Sequence, residues 1–535
     1  ADKLEKEGER VTARQLRKML EESGHQLRPS DAAFARALPV DADSRFPLIE
    51  RINLKALREP PVVLSAEQWD IIHEFLSVAR SHAQLDELGV TGSLSLLMYG
   101  PPGTGKTTTL VQAIKYTVLS EGQVLVCSPS NVAVDLVTEK LVREGLNVLR
   151  LGNPARVSEE VISNTLDARV AQHEYYKDLK TLVKRSEEFK NLAHKYKRNF
   201  GREEREQRQL LFSEAKSLLK DARVIEDHIL EDLFSKAQVI TCTPVHAAGK
   251  YLRNKFFQTI FIDEAAQALE PICWIPICRA NRVVMAGDHF QLPPTVKSLQ
   301  ADGLKETLFE KCIEHQKQCS VMLETQYRMH EDIMSFSNKE FYRNKLKAAE
   351  EVKDRLLSKN PEDLLLNTAI EFIDTAGCVF YEEFNEDTQS VLNQEEAKLL
   401  FNHLRLLLQQ YYSKARHERP NIGIIAPYSQ QIQYLKEYLL SHPEIADFGS
   451  HISIKTIDGF QGQEKDIIYI SLVRSNEMGE IGFLKDIRRM NVALTRAKKK
   501  LVVIGDSATL ANHTFYKDFL DFIESKNAYR SAWEF

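Results

Sequence analysis

No stretch of this 535-residue chain approaches the ~20 consecutive apolar residues that a membrane-crossing helix needs, and its N-terminus lacks a signal-peptide apolar core. A soluble intracellular protein, of cytoplasm or nucleus, is the expectation. Cysteine is sparse: seven residues, scattered, with no C-x-x-C pair. That argues against a disulfide framework. Cys312, His315 and Cys319 would share one helical face, but three side chains without tight Cys pairs read as half-buried thiols beside a surface histidine. An excess of positive charge is missing too. With 71 Lys+Arg against 76 Asp+Glu the net charge is −5, which argues against a uniformly basic nucleic-acid coat and leaves room for a local basic channel. There is no low-complexity tract and no short internal repeat.

What is present is the composition of a globular protein, 43% hydrophobic and 27% charged. Residues 1–60 open with a charged helical pattern and become Pro-punctuated. From about residue 61 short apolar runs recur, each ending in a polar or Gly-rich turn: 94–100 (LSLLMYG), 123–128 (QVLVCS), 237–243 (AQVITCT), 258–264 (QTIFIDE) and 282–288 (RVVMAGD). A second series follows at 369–375, 422–428, 452–458, 466–473 and 499–506. Apolar strands alternating with helices imply parallel sheets covered on both faces. The expected fold is therefore α/β, with two tandem P-loop-type domains at 61–310 and 311–535. Ala133, Leu136, Val137 and Leu141 mark an amphipathic helix stopping at Gly145. Residues 155–236 interrupt the first series. There, Leu179, Leu182, Val183, Phe189 and Ala193 form one stripe and Leu210, Leu211, Ala215, Leu218 and Leu219 another, across a break at Gly201, which predicts an inserted two-helix hairpin.

The run 94–100 leads straight into GPPGTGKT (100–107), satisfying G-x-x-x-x-G-K-[ST] between a strand and a helix. Gly103 and Gly105 lack the Cβ that would hold the backbone off phosphate oxygens, so consecutive N–H groups, including those of Thr104 and Thr108, can form an anion nest. Lys106 would bridge the β- and γ-phosphates and Thr107 would ligate Mg²⁺. Behind Ile260–Ile262, Asp263 and Glu264 stand at a strand's C-terminal end, where ligands of open α/β sheets bind. Asp263 would hold the metal and Glu264 would deprotonate the attacking water. Arg328 and Arg496, both from the second domain, are candidate arginine fingers or structural ion-pair partners.

Taken together, Gln68, GPPGTGKT, SPSN (128–131), DEAAQ (263–267), GDHFQLPP (287–294), QYRMH (326–330), APY (426–428), TIDGFQGQEKD (456–466) and RRMNVALTRA (488–497) resemble a superfamily 1B helicase of the nonsense-mediated-decay-helicase group. LGNPAR (151–156) and VRSNEMGEIGFL (473–484) are most similar to its immunoglobulin μ-binding and DNA helicase A branch. The resemblance implies an ATP- and Mg²⁺-dependent helicase or translocase that acts as a monomer on single-stranded DNA or RNA with 5′ to 3′ polarity. The alternative is a ribonucleoprotein remodeller or RNA clamp with the same motor. It also implies that Gln68 reads the adenine edge, Tyr327 packs near the base, Gln291 senses the γ-phosphate and Glu464 contacts the ribose. Ser130, Asn131, Thr241, Thr243, Pro427, Tyr428 and Thr456 would face the nucleic acid strand. This group usually carries a β-barrel ahead of the adenine-reading Gln. Only 67 residues precede Gln68 here, helical and Pro-rich in pattern, so no barrel is expected in this chain.

Overall fold

The computed structural model describes residues 95–195, 201–296 and 299–535, apart from 361 and 364. The expected N-terminal segment 1–60 and Gln68 lie outside the described residues. Two parallel sheets, of seven and six strands, carry the fold, and the chain divides into two compact units. One is built on Thr107–Ala286, the other on Leu97–Lys106 with Gly287–Phe535.

Strand β1 (Ser95–Tyr99) is followed by β2 (Val124–Cys127), β3 (Val148–Arg150), β4 (Val239–Cys242), β5 (Phe257–Ile262), β6 (Ala280–Gly287) and β7 (Ser320–Met322). In the first unit the parallel order is β3-β4-β2-β5-β6. The runs VLVC and VITC are buried along their whole length, as a strand covered on both faces requires. Helix α1 (Lys106–Glu121) and helix α2 (Asn131–Arg143) are both on this unit. Ser130 caps α2 by accepting from Ala133 N at 3.2 Å, and Lys140 and Arg143 favour its last turn. The predicted helix is there, but its buried face is Val134, Val137, Thr138 and Leu141. Leu136 is exposed, because the core-facing stripe also contains Asp135, a charge that masked the register.

The predicted hairpin is α3 (Tyr176–His194) packed on α4 (Arg202–Lys236). Its seam is narrower than the leucine stripes implied. Ser186, Ala193, Ala215 and Ala222 are buried, and Ser186 Oγ donates to Ala215 O at 2.8 Å. Small residues let the two backbones approach; Leu210 is left on the surface. Gln123 Nε2 ties the end of α4 back, donating to the carbonyls of Phe234 (2.7 Å) and Ala237 (2.6 Å).

In the second unit β1 pairs with β7 in parallel. Two short pairs follow, β8 (Thr325–Gln326) with β9 (Lys347–Ala348), then β11 (Glu383–Asn385) with β12 (Ser390–Leu392). The six-stranded sheet is made of β10 (Ile370–Asp374), β13 (Ile422–Ala426), β14 (Ile452–Thr456), β15 (Lys465–Ser471), β16 (Ala497–Gly505) and β17 (Tyr529–Ser531), in the order β14-β13-β15-β16-β10-β17. Side chains alternate across it. Ile425, Ile468 and Val503 pack with α5 (Glu331–Tyr342) on one face; Ile424, Tyr469 and Val502 pack with α6 (Gln394–Gln409) on the other. Two tandem RecA-like α/β domains with a helical insertion is the fold; the alternating runs predicted the two α/β domains and the helical stripes of 155–236 the insertion. Among the described residues no helix is long and apolar enough to cross a membrane.

One buried charge cluster gives the second sheet a pH signature. Glu371 on β10 lies 2.9 Å from Lys500 Nζ and 3.5 Å from His403 Nε2. Burial alone would raise its carboxyl, but His403 and Lys500 outweigh burial and hold it at about 2. A carboxylate depressed in the folded state stabilises at pH above its unfolded value, and that stability is lost as pH falls from about 4.5 towards about 2. Thermal melts of Glu371→Gln and wild type should therefore differ at neutral pH and converge across that window; a constant difference would refute the assignment.

Candidate nucleotide site and strand-facing loops

After β1 the chain turns through Gly100–Gly105 into α1. Gly103 (φ +81°) and Gly105 (φ +75°) adopt the left-handed conformation that other residues resist. Lys106 Nζ donates to Gly100 O (2.6 Å) and Pro101 O (3.1 Å), and Thr104 Oγ1 donates to Pro101 O (2.8 Å), so the side chains brace the loop from within. Gly103 O accepts from Tyr327 N at 2.8 Å, and a Cβ on Gly103 would stand 2.5 Å from the Arg328 Cβ. Tyr327 and Arg328 thus sit directly against the loop. Gly103→Ala combines the clash with an unfavourable φ and should weaken ATP binding by roughly tenfold or more while the fold melts normally. Titration with a fluorescent ATP analogue reads this, and unchanged affinity would contradict it.

The first unit contributes the end of β5. Thr107 Oγ1 donates to Asp263 Oδ2 at 3.2 Å, and Asp263 is buried. Two hard oxygen donors meeting at the end of a phosphate loop are a donor set suited to Mg²⁺. Glu264 is a non-glycine residue in the left-handed region (φ 52°, ψ 37°), a conformation that costs of order 1–3 kcal/mol. Its N–H is held by Asp263 Oδ1 at 3.0 Å, and its Oε2 accepts from Gln267 Nε2 at 2.9 Å. The kink gives two adjacent carboxylates different directions and different partners, which allows them different tasks. Thr108 Oγ1 accepts from Lys140 Nζ at 3.1 Å.

The second unit arranges its polar groups as a chain. Tyr342 OH donates to Asp288 Oδ2 (3.0 Å), which also accepts from Gln291 Nε2 (2.8 Å). Gln291 Oε1 accepts from Arg496 Nη2 (3.2 Å), and Arg496 is steadied by Val492 O (2.8 Å) and Gln463 O (3.4 Å). Asn491 Nδ2 joins the chain from the side, donating to Tyr342 OH (3.0 Å) and Phe290 O (2.8 Å). Gln326 folds the QYRMH segment by accepting from Arg328 N (2.8 Å) and Met329 N (2.7 Å) and donating to Met329 O (2.7 Å). That aims Arg328 at Glu464 (2.5 Å), whose other oxygen pairs with Lys498 (2.9 Å). Burial would raise the Glu464 carboxyl, yet Arg328 and Lys498 hold it down at about 2. Glu464 therefore belongs to an ion-pair triad with Arg328 and Lys498. Asp288 and Asn491 were inside motifs already singled out but carried no assigned role. Tyr342 had no sequence signal at all, since only the fold brings it to Asp288.

The strand-facing candidates divide. In the first unit Ser130 is exposed at the α2 cap, and Asn131 Oδ1 accepts from the fully buried Arg150 at 3.0 Å. Thr243 is partly open, its hydroxyl 2.8 Å from His246 Nδ1. Thr241 turns the other way: it is fully buried with its hydroxyl 2.8 Å from that of Thr138, so it offers no group to a strand. In the second unit Pro427 and Thr456 are half-buried. Tyr428 is buried, and its hydroxyl accepts from Arg474 Nη1 (3.2 Å) and Phe483 N (3.3 Å), which makes it an anchor for the 474–483 loop rather than an open contact.

A family model described as an AAA domain matches residues 64–299, and a second of the same description matches 304–508. DNA polymerase alpha-associated DNA helicase A of Saccharomyces cerevisiae is 32% identical over 497 residues, 87% of this chain and 70% of that protein. The uncharacterized ATP-dependent helicase MJ0104 of Methanocaldococcus jannaschii is 34% identical over 469 residues, 80% of this chain and 68% of that protein. DNA-binding protein SMUBP-2 of Rattus norvegicus is 36% identical over 450 residues, 82% of this chain but 44% of that protein. This chain thus spans less than half the length of SMUBP-2.

Proposed function

The chain belongs to the superfamily 1B helicases, in the group of SMUBP-2 and DNA helicase A, and on that premise we propose that it is an ATP-driven translocase that moves along single-stranded DNA or RNA, 5′ to 3′, and unwinds duplexes. The observation that carries the reading is the continuous hydrogen-bonded chain Tyr342–Asp288–Gln291–Arg496. A γ-phosphate sensor bonded to an arginine is how a motor would couple nucleotide state to the packing of its second unit, which also carries Pro427 and Thr456.

In this reading the loop Gly100–Lys106 binds the β- and γ-phosphates through backbone N–H groups and the Lys106 ammonium. Thr107 and Asp263 would hold Mg²⁺, which would offset charge on the phosphate oxygens. Glu264 takes a proton from the water that attacks the γ-phosphorus, and ADP and inorganic phosphate leave. Arg328 and Arg496 stabilise the charge that develops on the γ-phosphoryl group. Ser130, Asn131, Thr243, Pro427 and Thr456 grip the backbone of a strand without reading its sequence.

Strand displacement tests this directly. With ATP, a duplex bearing a 5′ single-stranded tail should be opened and one bearing a 3′ tail left closed. Displacement from the 3′ tail alone would reverse the polarity. Removal of a bound protein without any unwinding would favour a ribonucleoprotein remodeller.

A further inference from the structure

Beyond β15 the chain makes an unusual turn. Arg474 N donates to Leu472 O at 2.8 Å across Val473, whose φ is +71°. This is a γ-turn of the rare positive-φ kind, centred on a β-branched residue, among the least tolerated conformations a protein adopts. Val473 is fully buried, so neither exposure nor side-chain freedom relieves it.

The turn is held by a polar cluster in which every side chain is fully buried. Val473 N donates to both carboxylate oxygens of Glu396, at 3.0 and 3.2 Å, and Ser471 Oγ donates to the first of these at 2.6 Å. Val473 O accepts from Asn393 Nδ2 at 3.2 Å. Gln431 Nε2 closes the cluster by donating to Ser471 Oγ and to Asn393 O, both at 3.0 Å. Burial pushes the Glu396 carboxyl up to about 7 against the pull of Ser471 and Val473, so keeping an acid here is costly and a neutral helix residue would be cheaper.

Downstream, the turn sets a loop. Arg474 Nε donates to Glu382 at 2.8 Å and its Nη1 reaches Tyr428 OH. Ser475 Oγ donates to Asp506 at 2.9 Å. Gly482 is pressed against the same tyrosine, where a Cβ would meet the Tyr428 hydroxyl at 2.5 Å. Met478 and Phe483 then stand exposed on the loop. This loop follows β15, and Pro427 follows β13, both at C-terminal strand ends, where open α/β sheets bind ligands.

We propose that Glu396 is a positioning residue for strand binding: its carboxylate clamps the strained turn at Val473 and so fixes Arg474 and the 474–483 loop in the geometry that grips single-stranded nucleic acid. The proposal rests on the strand-binding reading above. At about pH 8, where Glu396 is ionised, Glu396→Gln should raise the strand concentration giving half-maximal ATPase stimulation roughly tenfold, with basal ATP hydrolysis unchanged. Adding Val473→Gly should restore most of the affinity, because glycine enters a positive φ unaided. Melting temperatures of both variants are measured alongside, so that a loss of strand affinity in a normally folded protein is separated from a loss of fold. An unchanged half-saturating concentration in Glu396→Gln, or a double variant as weak as the single one, would overturn the proposal. Should Glu396→Gln fold poorly, Glu396→Asp, which keeps the charge but shortens the reach, is read identically. If the wild type shows no strand stimulation, the strand-binding reading fails, and the clamp is judged by hydrogen exchange. Glu396→Gln must then speed exchange selectively at amides 473–484, and unchanged exchange there sinks it.

Discussion

Glu264→Gln will bind ATP and hardly turn it over. The substitution keeps length and shape and exchanges a carboxylate oxygen for an amide that cannot take a proton. The left-handed backbone at position 264 is set by Asp263 Oδ1 and by the chain around it, so the kink survives. Gln267 can still pair with the side chain, through the amide oxygen instead of Oε2. In the base role proposed for Glu264, the proton acceptor is what is lost, and general-base catalysis contributes about 10²–10⁴ in rate. Single-turnover hydrolysis should fall by about that factor, while affinity for a fluorescent ATP analogue stays within about threefold of wild type. Turnover close to wild type would remove Glu264 from the base role.

Arg496→Ala carries the other large effect. The guanidinium is almost wholly buried and spends its donors on Gln291 Oε1, Val492 O, Gln463 O and Thr495 Oγ1. In the finger role proposed for Arg496, truncation removes a transition-state cation, worth about 10³–10⁵ in arginine-finger enzymes, and also takes from the Gln291 side chain its bond to the guanidinium. Turnover should therefore drop by about three orders of magnitude or more, well beyond any change in ATP affinity. Arg496→Lys keeps a charge but not the planar fork and should recover only part of the loss. Because the site is buried, the melting temperature must be measured alongside. A folded Arg496→Ala with an unchanged turnover rate would refute the finger role.

The sheets were legible because each strand is a short apolar run closed by a polar turn, a pattern readable without partners. The short edge strands β3, β7 and β17 were not, since three residues hold too little pattern to separate a strand from a loop. The apolar spacing puts Leu136 on the buried stripe, whereas the structure buries Asp135, which is held by Arg150 fifteen residues away, and leaves Leu136 exposed. The same limit governs the site. The phosphate loop and the Asp263–Glu264 pair are local, so spacing shows them. The resemblance implies strand contacts at Thr241 and Tyr428, but their hydroxyls are claimed by Thr138 and Arg474, partners that only the fold brings near. Tyr342 and Glu396 carry no motif, and their polar contacts come from where helices α5 and α6 are packed.

The most direct measurement is the steady-state ATPase rate with single-stranded DNA, with single-stranded RNA and with neither, across a range of salt. A strand gripped through its backbone should raise the rate several-fold or more, and the concentration needed should climb steeply with salt as phosphate contacts are screened. Which nucleic acid works at the lower concentration identifies the preferred strand. An ATPase rate indifferent to both nucleic acids at low salt would mean that this motor does not run on single strands.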